Sequence, residues 1–311
     1  MKKFLHFAFI MVSVLAAYGC TSAAASAEEY FSIGMGYFEL GKYEEAEKWL
    51  NRAKLADRTM TASQYNLGRL AFERQRFNEA AVYFEDILKK DQNNVLALKA
   101  AAYTRIRTGD VDIAEKHYSR LLGIIPESAD DGYNHALVLY AMGRYADAEK
   151  TLEKYLLPLL EKSEIQLLYA RSQSAQNKVE AIESYSNWLN NNKNARVRYE
   201  YAQILQRNEF YARAIEEYRK AFSETTSADR NLRNEIRFAL AGALMIADNE
   251  SSEGFNELQT AVNEGFSGIQ AVEGLLTNDK ISAANKEKIR TIVYNMRLAA
   301  MSAEERQKSG N

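Results

Sequence analysis

The sequence predicts an all-α solenoid of helical hairpins, and three observations carry the prediction. Small residues recur every 34 positions, at Gly34, Gly68, Ala102 and Ala136 and again at Ala46, Ala80, Ala114 and Ala148. A bulky residue follows each of the second set by four positions: Leu50, Phe84, Tyr118 and Leu152. Two prolines in 311 residues, with 47% hydrophobic content, leave little to interrupt helices.

The physics of one unit explains the pattern. Two small residues let two helices approach closely, and the bulky residue fills the space between them. Apolar residues recur at helical spacing, as at Ala46, Trp49, Leu50 and Ala53. Gly41, Gln75, Gly109 and Gly143 fall in register between the two helices, where glycine suits a left-handed turn. One hairpin cannot bury its apolar face alone, but stacked neighbours share a continuous core.

The chain opens with Lys2 and Lys3, then an apolar run from Phe4 to Ala17 interrupted by His6 and Ser13. A basic start, a short apolar run and small residues after it make a secretory signal. The run is shorter than the roughly 20 residues of a membrane-spanning helix. Two cleavage readings stand. Ala17-Tyr18-Gly19-Cys20 resembles a bacterial lipobox, although Ala17 stands where leucine is commonest and Tyr18 is bulky. Its cysteine, the only one in the chain, would be lipidated, with residues 1–19 as signal and 20–27 as a short tether. Alternatively, Ala25-Ser26-Ala27 is an ordinary signal-peptidase site that would release a soluble protein.

The 34-residue pattern resembles the tetratricopeptide repeat. "QYNLGRLAFERQRFNEAAVYFEDILKKDQNN" carries Leu67-Gly68, Ala80, Phe84 and Asp91, and Pro126 closes the third unit where the family favours proline. The resemblance covers about Glu28 to Gly268. It gives units at about 28–60, 61–94, 95–128, 129–161, 162–194, 195–228 and 235–268. Ala170, Ala181 and Tyr185 mark a fifth unit one residue short at its turn. Ala202, Ala214 and Tyr218 mark the sixth; Gly242, Gly254 and Leu258 mark a degenerate seventh after a polar insertion around Thr225–Arg233. Capping helices are expected over 269–303, with Ile289, Ile292, Val293, Met296 and Ala300 on one face of the segment Ala283–Met301, and a polar tail over 304–311. The resemblance implies a right-handed α-α superhelix of about seven hairpins with a C-terminal capping helix.

The chain has 40 basic and 42 acidic residues. Loss of residues 1–19 removes Lys2 and Lys3 and leaves a formal charge of −4, which argues against nucleic acid. A single cysteine excludes intrachain disulfides and thiolate metal clusters. His117 and His135 stand in no H-x-x-x-H or H-E-x-x-H spacing, and neither a nucleophile elbow nor a phosphate loop is present. Glu44, Glu45 and Glu47 read as solvated helix carboxylates. No enzyme, metal or cofactor is expected.

The resemblance places the candidate site on the first helices, which line the concave face in this family. Positions 2, 5, 9, 12 and 13 of each unit point into that face. Transferred here, they give Phe31, Met35 and Phe38; Tyr65, Arg69 and Phe72; Lys99, Tyr103, Ile106 and Arg107; Tyr133 and Tyr140; Arg171; and Arg196, Tyr199, Gln203 and Arg207. Aromatic anchors with arginine dominate protein-binding energetics. Arg107 and Arg171 are expected to be solvated, and the excess of basic groups favours a partner segment with acidic residues. Some family members clamp a C-terminal carboxylate with Lys and Asn at positions 5 and 9, but the first unit has Phe31 and Met35 there.

These expectations amount to a non-enzymatic scaffold: an envelope lipoprotein, anchored to the membrane through Cys20, whose groove binds another envelope protein as peptide or helix. Similar lipoproteins serve in outer-membrane assembly, pilus or secretin biogenesis and cell-wall enzyme regulation. Thr21 after the cysteine, with no Asp to signal inner-membrane retention, favours by resemblance the outer membrane facing the periplasm. The alternative is a soluble periplasmic accessory of a small-molecule transporter or receptor.

Overall fold

Residues 26–156, 162–249 and 252–309 are described by the computed structural model. The expected lipidation site Cys20, the expected signal segment and all but the last two residues of the expected tether lie outside them. Sixteen helices occupy the described residues. They pair as α1 (Ala27–Glu39) with α2 (Tyr43–Ala56), α3 (Thr61–Glu73) with α4 (Phe77–Lys90), α5 (Val95–Thr108) with α6 (Val111–Ile124), and α7 (Ala129–Ala141) with α8 (Tyr145–Leu156). The later pairs are α9 (Ser163–Ala175) with α10 (Ala181–Asn191), α11 (Ala195–Arg207) with α12 (Tyr211–Glu224), and α13 (Arg230–Ala247) with α14 (Glu253–Asn263). Two helices follow, α15 (Ile269–Leu276) and α16 (Ala283–Ser309). The chain divides into two compact units, residues 1–138 and 139–311, with the boundary inside α7.

The first helix begins one residue before the predicted unit, inside the predicted tether. Ser26 is the reason: its hydroxyl accepts the Glu29 N–H at 3.1 Å while its own N–H donates to the Glu29 carboxylate at 2.6 Å. This reciprocal pair satisfies two orphan donors at the helix start.

The positions that the pattern assigns to the contact between paired helices are buried in the first six hairpins. Ala46, Ala80, Ala114, Ala148, Ala181 and Ala214 are fully buried. The residues four positions on, Leu50, Phe84, Tyr118, Leu152, Tyr185 and Tyr218, are at most 2% exposed. A Cβ on Gly68 would stand 2.7 Å from the Phe84 ring, so any larger residue there must displace that ring.

The turns follow the same register. Gly41, Gly109 and Gly143 have φ of 69°, 84° and 75°, and Gln75, Asn177 and Glu209 adopt the same left-handed conformation at 59°, 59° and 66°. Asn177 lies 34 residues after Gly143, so the fifth turn itself is in register. The missing residue falls after it. The N–H groups of Ala181, Ile182 and Glu183 bond to the carbonyls three residues back, a 3₁₀ turn that absorbs the deletion, and α10 then starts late, at Ala181.

Two further boundaries differ from the sequence reading. Helix α13 starts at Arg230, so the last four residues of the expected polar insertion are helical. The Arg230 guanidinium explains this: it donates to the Glu264 carbonyl at 2.7 Å and ties the first turn to the end of α14. Helix α16 runs through Ser309 and takes in most of the expected tail, because Ala303 to Lys308 are good helix formers. Ile289, Ile292, Val293 and Met296 pack into the terminal core as expected, but Ala300 is exposed, since that core ends one turn earlier.

Candidate partner-binding site

In residues 26–138 the first helices bury one face against their partners and expose the other. On α5, Ala97, Leu98, Ala101, Ala102 and Thr104 are buried, while Leu96, Lys99, Tyr103 and Arg107 are exposed at spacings of three and four. The predicted aromatics build a half-buried ladder along this side. Phe31, Met35 and Phe38 pack against the core around Leu50 and Leu67. Phe38 meets Tyr43 at 5.8 Å, Tyr65 meets Phe84 at 5.6 Å, and Phe72 contacts both Phe77 and Tyr103, at 5.1 and 5.5 Å. Most of each ring therefore supports the stack, and Tyr103, 47% exposed, presents the most surface. Tyr133 and Ile106 are half-buried.

The cations divide into two groups. Arg69 lies over the Phe38 ring at 5.0 Å and bonds Asn66, and Arg107 lies over Phe77 at 4.7 Å. Both are exposed and have no carboxylate partner among the described residues. Lys99 instead meets Asp131 of α7 at 3.0 Å, a carboxylate that is buried and also accepts the Ser128 hydroxyl.

Residues 139–311 repeat this device. Arg171 of α9 makes two bonds to Glu200 of α11, each 2.9 Å, and Arg196 of α11 pairs with Glu235 of α13. The Tyr185 hydroxyl also donates to Glu200, at 3.1 Å. Arg171 is thus half-buried and fixed, which corrects the expectation that it is solvated. The expected excess of positive charge is corrected with it: Lys99, Arg171 and Arg196 each hold a carboxylate of the next first helix. Arg207 is exposed and bonds neutral groups, Asn177 and Ser174 of the preceding hairpin, at 3.1 and 2.9 Å. Tyr140 is half-buried against Tyr145 at 5.1 Å. Tyr199 is buried, and burial with nearby Glu235 pushes its hydroxyl up to about 12, so it stays protonated at neutral pH.

A cleft of about 550 Å³ opens beside these residues. Tyr199, Gln203 and Arg207 of α11 form one wall, Phe238, Gly242 and Ile246 of α13 another, and Leu275 of α15 with Asn278 a third. The Tyr218 hydroxyl donates to Gln206 at 2.7 Å and fixes that amide at the rim. The site offers an apolar floor with amide, guanidinium and phenol groups around it, a composition suited to binding.

A second recurring device lies at the turns. Glu47, expected on a solvated face, is half-buried and bonds Arg74 and Arg76, which flank the left-handed Gln75 of the next hairpin. Glu149, at the equivalent position, is buried and bonds Gln176 and Lys178 around Asn177. Burial alone would raise the Glu149 pKa, but bonds from Lys178, Gln176 and Gln173 outweigh it and lower the value. His117 bonds Glu85 at 2.9 Å beside Arg105, and His135 is buried next to Tyr118. These histidines sit within the packing between hairpins.

Family models described as tetratricopeptide repeat match residues 27–59 and 65–129. No curated protein matches the chain. Among solved structures, a tetratricopeptide repeat protein from Parabacteroides merdae is similar at a TM-score of 0.54 with 20% identity, over 80% of this chain and 97% of that one. A structure of the MamA protein is similar at a TM-score of 0.50 with 17% identity, over 53% of this chain and 90% of that one. At these identities the similarity concerns the fold. Residues 27–59 and 65–129 are thus tetratricopeptide repeats, and the buried small residues and left-handed turns carry the same helical-hairpin pattern into the following hairpins.

Proposed function

We propose that the protein is a non-enzymatic scaffold of the bacterial cell envelope, lipid-anchored at Cys20 and facing the periplasm, that holds a partner protein on its first-helix faces. The observation that carries this reading is the cleft between α11, α13 and α15. It is large enough for one or two anchoring side chains, and its floor is apolar. The exposed Arg207 and Gln203 at its rim supply hydrogen bonds to a backbone or carboxylate. Because only some of the predicted cations remain free, recognition rests on apolar anchoring with a few polar contacts more than on a broad charge match.

The cleft volume favours one other reading, a soluble accessory whose ligand is a small molecule. Pull-down from native membranes separates the two. Gln203→Trp, which obstructs the cleft from an exposed position, and Arg207→Glu should each reduce capture of one defined protein, while Lys150→Glu on a second helix leaves it unchanged. Recovery of no protein from any sample, with a small molecule found by native mass spectrometry, would replace the scaffold reading.

A further inference from the structure

The ends of α2 and α4, with Gln64 of α3, line an open pocket of about 410 Å³. Its lining is basic: Lys54, Arg58, Lys89 and Lys90, with Gln64, Asp86 and Leu55.

The carboxylates around this cavity are already engaged. Asp57 accepts the Thr59 N–H and hydroxyl, Asp86 pairs with Lys89 at 2.7 Å, and Asp91 accepts from Asn93 and Asn94. Lys54, Arg58 and Lys90 have no carboxylate partner among the described residues. Lys54 instead lies over the Tyr83 ring at 5.0 Å, which holds its ammonium at the cavity wall. Lysines in the last turn of a helix ordinarily complement the helix dipole. That accounts for Lys54, Lys89 and Lys90. It does not account for Arg58, which lies beyond α2, nor for Leu55, a leucine 72% exposed among these cations.

We propose that this pocket binds the phosphate of an anionic lipid headgroup, with Leu55 entering the interface beside it. Cations surrounding a cavity fit a phosphate, and a polybasic cluster with an exposed apolar side chain fits a membrane surface more closely than a soluble anion. The path of the chain agrees with the lipid anchor proposed at Cys20, and this point rests on that reading. Helices α1 and α2 are antiparallel across a short turn, and Tyr30 in the first turns of α1 touches Trp49 of α2 at 5.8 Å. The chain therefore enters α1 at the end of the hairpin that carries Lys54, Leu55 and Arg58. The inference stands apart from the partner site, because the cleft among α11, α13 and α15 shares none of these residues.

The test is flotation of the full chain with phosphatidylcholine vesicles and with vesicles containing 30% phosphatidylglycerol. The anionic vesicles should bind it more tightly. Arg58→Ala with Lys90→Ala, both exposed, should lower that preference by roughly thirtyfold, while Lys116→Ala with Lys150→Ala changes it little, circular dichroism staying native throughout. Leu55→Ser should weaken binding to anionic vesicles and leave the affinity for pyrophosphate, read by calorimetry, unchanged. A preference that survives the Arg58 and Lys90 changes overturns the proposal. So does pyrophosphate binding with Leu55→Ser having no effect on vesicles, which would make the ligand a soluble phosphate or phosphopeptide.

Discussion

Residues 26–138 repeat with a constant 34-residue step, while residues 139–311 lose one residue before α10, lengthen the link before α13 and end in two helices outside the pattern. The contact between paired helices is nevertheless the same. Ala114 and Ala214 are both fully buried, and Tyr118 and Tyr218, four residues on, are each 1% exposed. What differs is the link. Glycine serves as the left-handed residue in three of the first four hairpins, whereas asparagine and glutamate serve in the fifth and sixth. The packing contact therefore sets the register, and the links adapt to it. A 3₁₀ turn before α10 is sufficient to keep Ala181 and Tyr185 in place.

The comparison breaks most sharply at the contact itself. Ala114→Asp and Ala214→Asp should each cost several kcal/mol, because both place an unpaired carboxylate where two helices meet. Urea unfolding should show comparable losses in the regular and irregular regions, with hydrogen exchange fastest around the altered hairpin. A much smaller loss at Ala214 would mean that the irregular region is held in some other way.

The glycines sharpen the same comparison. A Cβ on Gly68 would press on the Phe84 ring, a side chain able to shift, and Gly68→Ala should cost about 1–3 kcal/mol. A Cβ on Gly254 would stand 2.9 Å from both the Ala241 carbonyl and the Met245 backbone nitrogen, which cannot move without distorting α13. Gly254→Ala should therefore be the worse of the two, read from denaturation midpoints. The reverse order would contradict the packing geometry.

A smaller effect concerns pH. The hydrogen bond from His117, with help from Arg105, lowers the Glu85 pKa below its ordinary value. A depressed carboxylate contributes stability that is complete above the ordinary range and disappears as pH falls through the lowered value. Amide protection in α4, α5 and α6 should decline over that acid window, and Glu85→Gln should flatten the decline. An unchanged profile in the variant would remove Glu85 from the account.

The repeat was legible because identical small residues must recur where helices touch. The candidate site was less so. Positions 2, 5, 9, 12 and 13 identify the exposed side of α5 well, yet Tyr199 is buried and Arg171 is tied to Glu200. The missed signal is a carboxylate offset by nearly one repeat: Lys99 to Asp131, Arg171 to Glu200, Glu47 to Arg74 and Arg76, and Glu149 to Lys178. Ranking cations by their own hairpin overlooks partners on the next one. The cleft beside Tyr199 was illegible for another reason, since α15 closes it and lies outside the repeat.

Whether first-helix faces hold the partner can be read by placing a photo-crosslinking amino acid at single exposed positions in cells. Tyr103 and Gln203 sample first helices, while Lys116 and Lys150 sample second helices. Adducts to one common protein are expected from Gln203, strongest beside the cleft, and from Tyr103, with little from Lys116 or Lys150. Adducts concentrated at Lys116 and Lys150, with Gln203 silent, would contradict first-helix binding.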